Sequence, residues 1–106
     1  MTSLSTHVLD AVTGNPVEGM TVTLTGSDSA QLASSRTNAD GRITDLAEQA
    51  DGLPPGTYRL IFDTGSYHAG AGFYPEVVIT FAVTEDRHYH VPLNLSPFAY
   101  STYRGS

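Results

Sequence analysis

The sequence predicts an all-β sandwich or barrel. Three observations predict it. Apolar residues recur at every second position through most of the chain, turn-forming residues punctuate those runs, and no stretch carries a helical repeat of more than one turn. The first strand spans Leu4 to Leu9, with Leu4, Thr6 and Val8 inward and Ser5, His7 and Leu9 outward; Leu9, being apolar, fits either face. Thr13-Gly14-Asn15-Pro16 closes it. Met20, Val22 and Leu24 alternate with Thr21, Thr23 and Thr25 in the second strand, which Gly26-Ser27-Asp28 ends. Asn38-Ala39-Asp40-Gly41 and Leu53-Pro54-Pro55-Gly56 bracket the middle of the chain. Tyr58, Leu60 and Phe62 then alternate with Arg59, Ile61 and Asp63. Ser66 to Gly72 has room for one helical turn, kept short by its glycines. Val77, Ile79, Phe81 and Val83 form the next inward set. Tyr89, Val91, Leu93 and Leu95 follow, with His88, His90, Pro92 and Asn94 outward. Phe98, Tyr100 and Thr102 alternate with Ala99, Ser101 and Tyr103 at the end. Pro92 removes one ladder hydrogen bond, so its strand is either an edge or interrupted there.

Length and composition narrow the function. The chain has 106 residues, which predicts one domain over 1–106 with one modest core. Hydrophobic residues make up 40% and charged residues 15%, a globular rather than disordered composition. With no cysteine, disulfide scaffolds, zinc fingers, iron–sulfur sites and thiol catalysis are excluded. No apolar run approaches membrane-spanning length, and Met1 to Asp10 lack the basic and apolar regions of a secretory signal, so a cytoplasmic protein is expected. The net charge of −6 gives no basic surface for nucleic acid. Lysine is absent, and the five basic residues are Arg36, Arg42, Arg59, Arg87 and Arg104. Each presents a planar fork suited to carboxylates and planar anions.

Several short patterns bear on chemistry. Phe62-Asp63-Thr64-Gly65-Ser66 is similar to the active-site turn of aspartic proteases, but the glycine-rich flap and the later apolar-apolar-Gly turn are missing. An aspartate-capped turn is the expected reading there. His88-x-His90 puts two imidazoles on one strand face with His7 as a third candidate, a set that would also suit catalytic zinc. A pair of histidines can equally supply a general base and a general acid. There is no Gly-x-Ser-x-Gly elbow, P-loop or Rossmann glycine pattern.

Four segments, in order along the chain, carry a family resemblance. They are Leu4-Ser5-Thr6-His7-Val8-Leu9-Asp10, Thr37-Asn38-Ala39-Asp40-Gly41-Arg42, Tyr89-His90-Val91-Pro92-Leu93, and Ser96-Pro97-Phe98-Ala99-Tyr100-Ser101-Thr102-Tyr103-Arg104-Gly105-Ser106. Together they resemble the 5-hydroxyisourate hydrolases, the transthyretin-like enzymes of urate breakdown. The resemblance implies a transthyretin-like sandwich of two four-stranded sheets with one short helix. It also implies a homotetramer, a dimer of dimers whose central channel is lined by the outward face of the sheet bearing the first and last two strands. The strand with Pro92 then becomes internal, with its ladder broken locally. The implied reaction is hydrolysis of a ring amide of 5-hydroxyisourate to 2-oxo-4-hydroxy-4-carboxy-5-ureidoimidazoline, with no metal or other cofactor. His7, Arg42 and His90 match the family's catalytic positions, and Tyr103 and Ser106 match residues lining the substrate. Arg104 is expected to support the structure or an interface. Asn94 stands where the family more often has an aliphatic residue.

Ring-amide hydrolysis needs a base for water, a donor for the developing oxyanion and an acid for the leaving nitrogen. His7 and His90 are expected to share the proton work, with the choice of base between them open. Arg42 would hold a carbonyl or anion through paired hydrogen bonds; the competing reading pairs it with Asp40 or Asp45. The alternatives from other classes are a transthyretin-like carrier of a planar small molecule and a plain interaction module. Paired histidines and the Tyr-Arg-Gly-Ser ending favour the hydrolase, because a carrier needs no proton shuttle.

Overall fold

A computed structural model describes residues 2–106. Two four-stranded sheets pack face to face. The strands are β1 (Ser3–Asp10), β2 (Thr21–Gly26), β3 (Gln31–Arg36), β4 (Arg42–Ile43), β5 (Gly56–Phe62), β6 (Val77–Val83), β7 (His88–Leu95) and β8 (Tyr100–Thr102). One sheet has the order β4-β1-β7-β8 and the other β3-β2-β5-β6. The architecture is the all-β sandwich that the alternating pattern predicts.

The core is where the inward phases meet. Leu4, Val8, Val22, Leu24, Leu60, Phe62, Leu93 and Leu95 are all fully buried, and every one was assigned inward by its period-two position. Thr6 is inward as well; its hydroxyl escapes an orphaned burial by donating to the Val91 carbonyl at 2.6 Å.

Periodicity missed β3 and β4. In β3 only Ala33 is buried, and β4 has two residues, so neither shows an alternation long enough to read. The helical turn expected after Ser66 begins earlier, at α2 (Thr64–Tyr67). Its cap is Asp63, whose carboxylate accepts from the Ser66 backbone N–H at 3.3 Å and the Ser66 hydroxyl at 2.7 Å. The Asp-Thr-Gly run is therefore a capped turn. A second single turn, α1 (Leu46–Gln49), buries Leu46 and Ala47; four residues are too few to carry a helical period. The last strand is shorter than its pattern. Ser96 and Ala99 close a turn before it, and the ladder fails after Thr102.

That failure traces to Pro92. β7 lies inside its sheet, between β1 and β8. Its antiparallel register to β8 pairs Leu93 with Thr102 and resumes at His90 with Gly105. Between them, Pro92 falls opposite Tyr103. The Gly105 N–H donates to the His90 carbonyl at 2.9 Å, so two residues along, Pro92 occupies a position where its own N–H would have to donate. It has none, and the Thr102 hydroxyl donates to the Pro92 carbonyl instead, at 2.7 Å. Pro92 thus sits in an internal strand with an interrupted ladder.

Candidate active site

Sheet pairing brings the candidate residues to one face. β1 and β7 are parallel, with Ser3 opposite His88, Ser5 opposite His90 and His7 opposite Pro92. β4 pairs with the other side of β1 and sets Arg42 opposite His7. Directly opposed residues share a face, so Arg42, His7, Ser5, Ser3, His88 and His90 all point away from the core. His7 and His90 are diagonal neighbours, about 7–8 Å apart on a regular sheet. That gap admits a water or the edge of a planar ring.

Two glycines allow this assembly. Gly41 has φ +75°, and a Cβ there would lie 2.5 Å from the Val8 carbonyl oxygen. Only glycine lets the 38–41 turn approach β1 closely enough to deliver Arg42 beside His7. Gly105 lies against the His90 ring, and a Cβ there would collide with its Cδ2. The chain end is thereby laid on the imidazole, with Ser106 the next residue.

His90 is half-buried and held through Nδ1 by the Ser5 hydroxyl at 2.7 Å. Burial pushes its pKa below the ordinary imidazole value; the nearby Arg42 cation, His7 and His88 push it further the same way. His90 therefore favours the neutral form, which a general base requires. Arg42 is exposed, and the only ion pair among the described residues is Arg87 with Glu85 at 3.2 Å. The alternative pairing of Arg42 with Asp40 or Asp45 is not formed, which leaves its guanidinium available to a ligand.

The C-terminal residues are placed less uniformly. Tyr103 is 61% exposed. Together with His90 and Arg104 it lines a cavity of about 350 Å³ at the sandwich edge where β8 stops. His7, Arg42 and Ser106 do not line that cavity. They belong to the open outward face, so one protomer alone presents a shallow site. Asn94 is outward and donates weakly to the Ser101 hydroxyl, at 3.4 Å. Among the described residues no group of three or more His, Cys, Asp or Glu is placed to hold a metal ion. The three outward histidines meet serines and the arginine instead.

Sequence reasoning overlooked Ser3 and Ser5, which hydrogen-bond His88 and His90. Their outward phase was readable, but the parallel register that sets them opposite the histidines was not.

Comparison with known proteins identifies the family and matches the fold. The model for the HIUase/Transthyretin family matches residues 4–105. The 5-hydroxyisourate hydrolase of Pseudomonas aeruginosa is 41% identical, covering 100% of this chain and 93% of that protein. The Arabidopsis thaliana uric acid degradation bifunctional protein TTL is 42% identical over 97% of this chain, which spans only 37% of its length. The solved structure of Klebsiella pneumoniae 5-hydroxyisourate hydrolase superposes with a TM-score of 0.89 at 43% identity, covering 100% of both chains. With its sandwich topology, its outward histidines and this match over nearly the whole sequence, the chain belongs to the HIUase/transthyretin family.

Proposed function

We propose that the protein is a 5-hydroxyisourate hydrolase acting in urate degradation, with residues 1–106 as one hydrolase domain. The observation that carries this reading is the convergence of His7, Arg42 and His90 from three strands on one sheet face, in a chain more than 40% identical to proteins of that name.

The chemistry follows from the residues. Water attacks a ring carbonyl, a C–O bond forms, and the ring C–N bond breaks. One histidine takes the water proton, and the other gives a proton to the leaving nitrogen. His90, whose surroundings favour the neutral ring, is suited to the base, which leaves His7 as the acid. Arg42 offers a fixed pair of donors to a urate-like carbonyl and to the oxyanion that develops on attack. Tyr103 and Ser106 orient substrate or water from the chain end, and Arg104 supports that segment.

His7, Arg42 and Ser106 lie on an open face outside the cavity that His90 shares with Tyr103 and Arg104. The outward face becomes an enclosed site when a second copy covers it, and the proposal includes a homotetramer built as a dimer of dimers. Leu9, partly exposed on that face, and exposed Phe73 and Phe98 elsewhere supply apolar surface for assembly. No described helix is long and apolar enough to cross a membrane; a cytoplasmic location remains part of the proposal.

The test is direct. 5-Hydroxyisourate made from urate by urate oxidase is followed by its ultraviolet absorbance with and without the protein. Micromolar protein is expected to accelerate decay and yield the ring-opened carboxylate. Saturable binding with no acceleration would replace this reading with the planar-ligand carrier.

A further inference from the structure

Ser3 and Ser5 on β1 and His88 and His90 on β7 point outward and alternate as hydroxyl and imidazole in one hydrogen-bonded row. Ser3 Oγ lies 2.6 Å from His88 Nδ1, His88 Nε2 lies 3.0 Å from Ser5 Oγ, and Ser5 Oγ lies 2.7 Å from His90 Nδ1. Both nitrogens of His88 are engaged, and His90 keeps Nε2 free of this row. We propose that Ser5 and His88 are positioning residues forming a proton relay that takes up and returns the proton handled by His90. This rests on the hydrolase reading above.

The hydroxyl makes the row directional. Serine has one proton to donate and two lone pairs. Between two ring nitrogens it can donate to one and accept from the other, the arrangement the relay uses, which links the tautomers of His88 and His90. When His90 offers a bare Nε2 to water, its Nδ1–H donates to Ser5. Ser5 then donates to His88 Nε2, and His88 Nδ1–H donates to Ser3.

The relay solves a difficulty that the site creates. Burial and the cationic Arg42 oppose a charged His90, yet a base must accept a proton. His88 is exposed and holds a charge at lower desolvation cost. In the proposed step a water O–H bond breaks and the proton bonds to His90 Nε2, while the hydroxide oxygen bonds to the carbonyl carbon. The Nδ1 proton moves to Ser5 Oγ, and the proton already on Ser5 moves to His88 Nε2. His90 and Ser5 end neutral, and His88 is the imidazolium. When the C–N bond breaks, the Nε2 proton passes through His7 to the leaving nitrogen, and the row runs back. The other charged or titratable groups near the row are Arg42 on β4, His7 on β1, Glu85, Asp86 and Arg87 before β7, and Tyr103 and Arg104 after β8, which share a cavity with His90; Glu85 and Arg87 pair at 3.2 Å.

Four variants and one spectroscopic titration test it. Ser5→Ala and His88→Ala are each expected to lower kcat by about tenfold, with KM within about twofold. Ser5→Thr, which keeps the hydroxyl, restores kcat, and so does imidazole in the buffer for His88→Gly, in step with the neutral imidazole fraction. Wild-type kcat and KM in both alanine variants would overturn the relay and leave the hydrolase standing. If the wild-type protein does not hydrolyse 5-hydroxyisourate, the hydrolase reading fails, and nitrogen-15 NMR of the rings decides the relay alone. Coupled titration of His88 and His90 that becomes independent in Ser5→Ala supports it; identical titrations in the two proteins overturn it.

Discussion

The two sheets of the sandwich are built from different kinds of information. The β3-β2-β5-β6 sheet is antiparallel throughout. Its inward side is apolar, with Val22, Leu24, Leu60, Phe62, Val77 and Val83 buried. The β4-β1-β7-β8 sheet joins the two ends of the chain through a parallel β1–β7 pair, and Ser5 and His90 meet across 85 positions of sequence. It carries three of the four histidines and accommodates a proline in an internal strand. Parallel pairing needs a long crossover and cannot be set by a hairpin. The first sheet supplies rigid burial. The second gives up ladder continuity and lays the C-terminal segment against an imidazole.

The contrast can be broken from either side. The largest effect is expected in the rigid sheet: Phe62→Ala removes a fully buried ring and should cost about 3–5 kcal/mol in denaturant unfolding. On the reactive sheet, Arg42→Ala should leave unfolding within about 0.5 kcal/mol, because Arg42 is exposed, while kcat/KM falls by about a hundredfold. Near-wild-type turnover would remove Arg42 from the site. Gly105→Ala should lower activity by about tenfold, since the added methyl displaces His90 or the chain end; a tag after Ser106 should impair activity through the same segment.

Two smaller effects sharpen the comparison. The His90 pKa is depressed from 6.5, so its NMR titration midpoint should lie below that value. It should rise in Arg42→Ala, because removing a nearby cation favours the imidazolium; an unmoved midpoint would place Arg42 too far to act. Tyr67→Phe deletes the hydroxyl that donates to Asp10 at 2.6 Å and should cost about 1 kcal/mol at neutral pH. That hydrogen bond is the largest cause holding the Asp10 carboxyl below its ordinary value. The stabilisation is therefore complete above the unfolded-state pKa and is lost as pH falls through the folded-state one, so wild type and variant should converge in acid.

The legibility of the two sheets differed in the same way. Alternation placed Leu60, Phe62 and Leu24 inward because a half-buried strand must separate its faces. It placed His7, His88 and His90 outward by the same logic. What it could not supply was register: nothing local says that Ser5 faces His90 or that Arg42 faces His7. β4 was lost because two residues have no period, and α1 because one turn has none either. Pro92 announced a disturbed ladder, but only the neighbours of β7 show that the disturbance falls on Tyr103 and Arg104. The candidate residues themselves were legible through the family resemblance, whereas the serines that engage the histidines became visible only with the pairing.

Catalysis on the outward face of the β4-β1-β7-β8 sheet is most directly tested by one paired measurement. kcat/KM for 5-hydroxyisourate is determined for His90→Ala and for Thr80→Ala, an exposed position on β6 of the other sheet, at matched fold and oligomeric state. His90→Ala should lose at least about a hundredfold, and Thr80→Ala should stay within about twofold of wild type. A His90→Ala protein as active as Thr80→Ala would contradict the placement of the site.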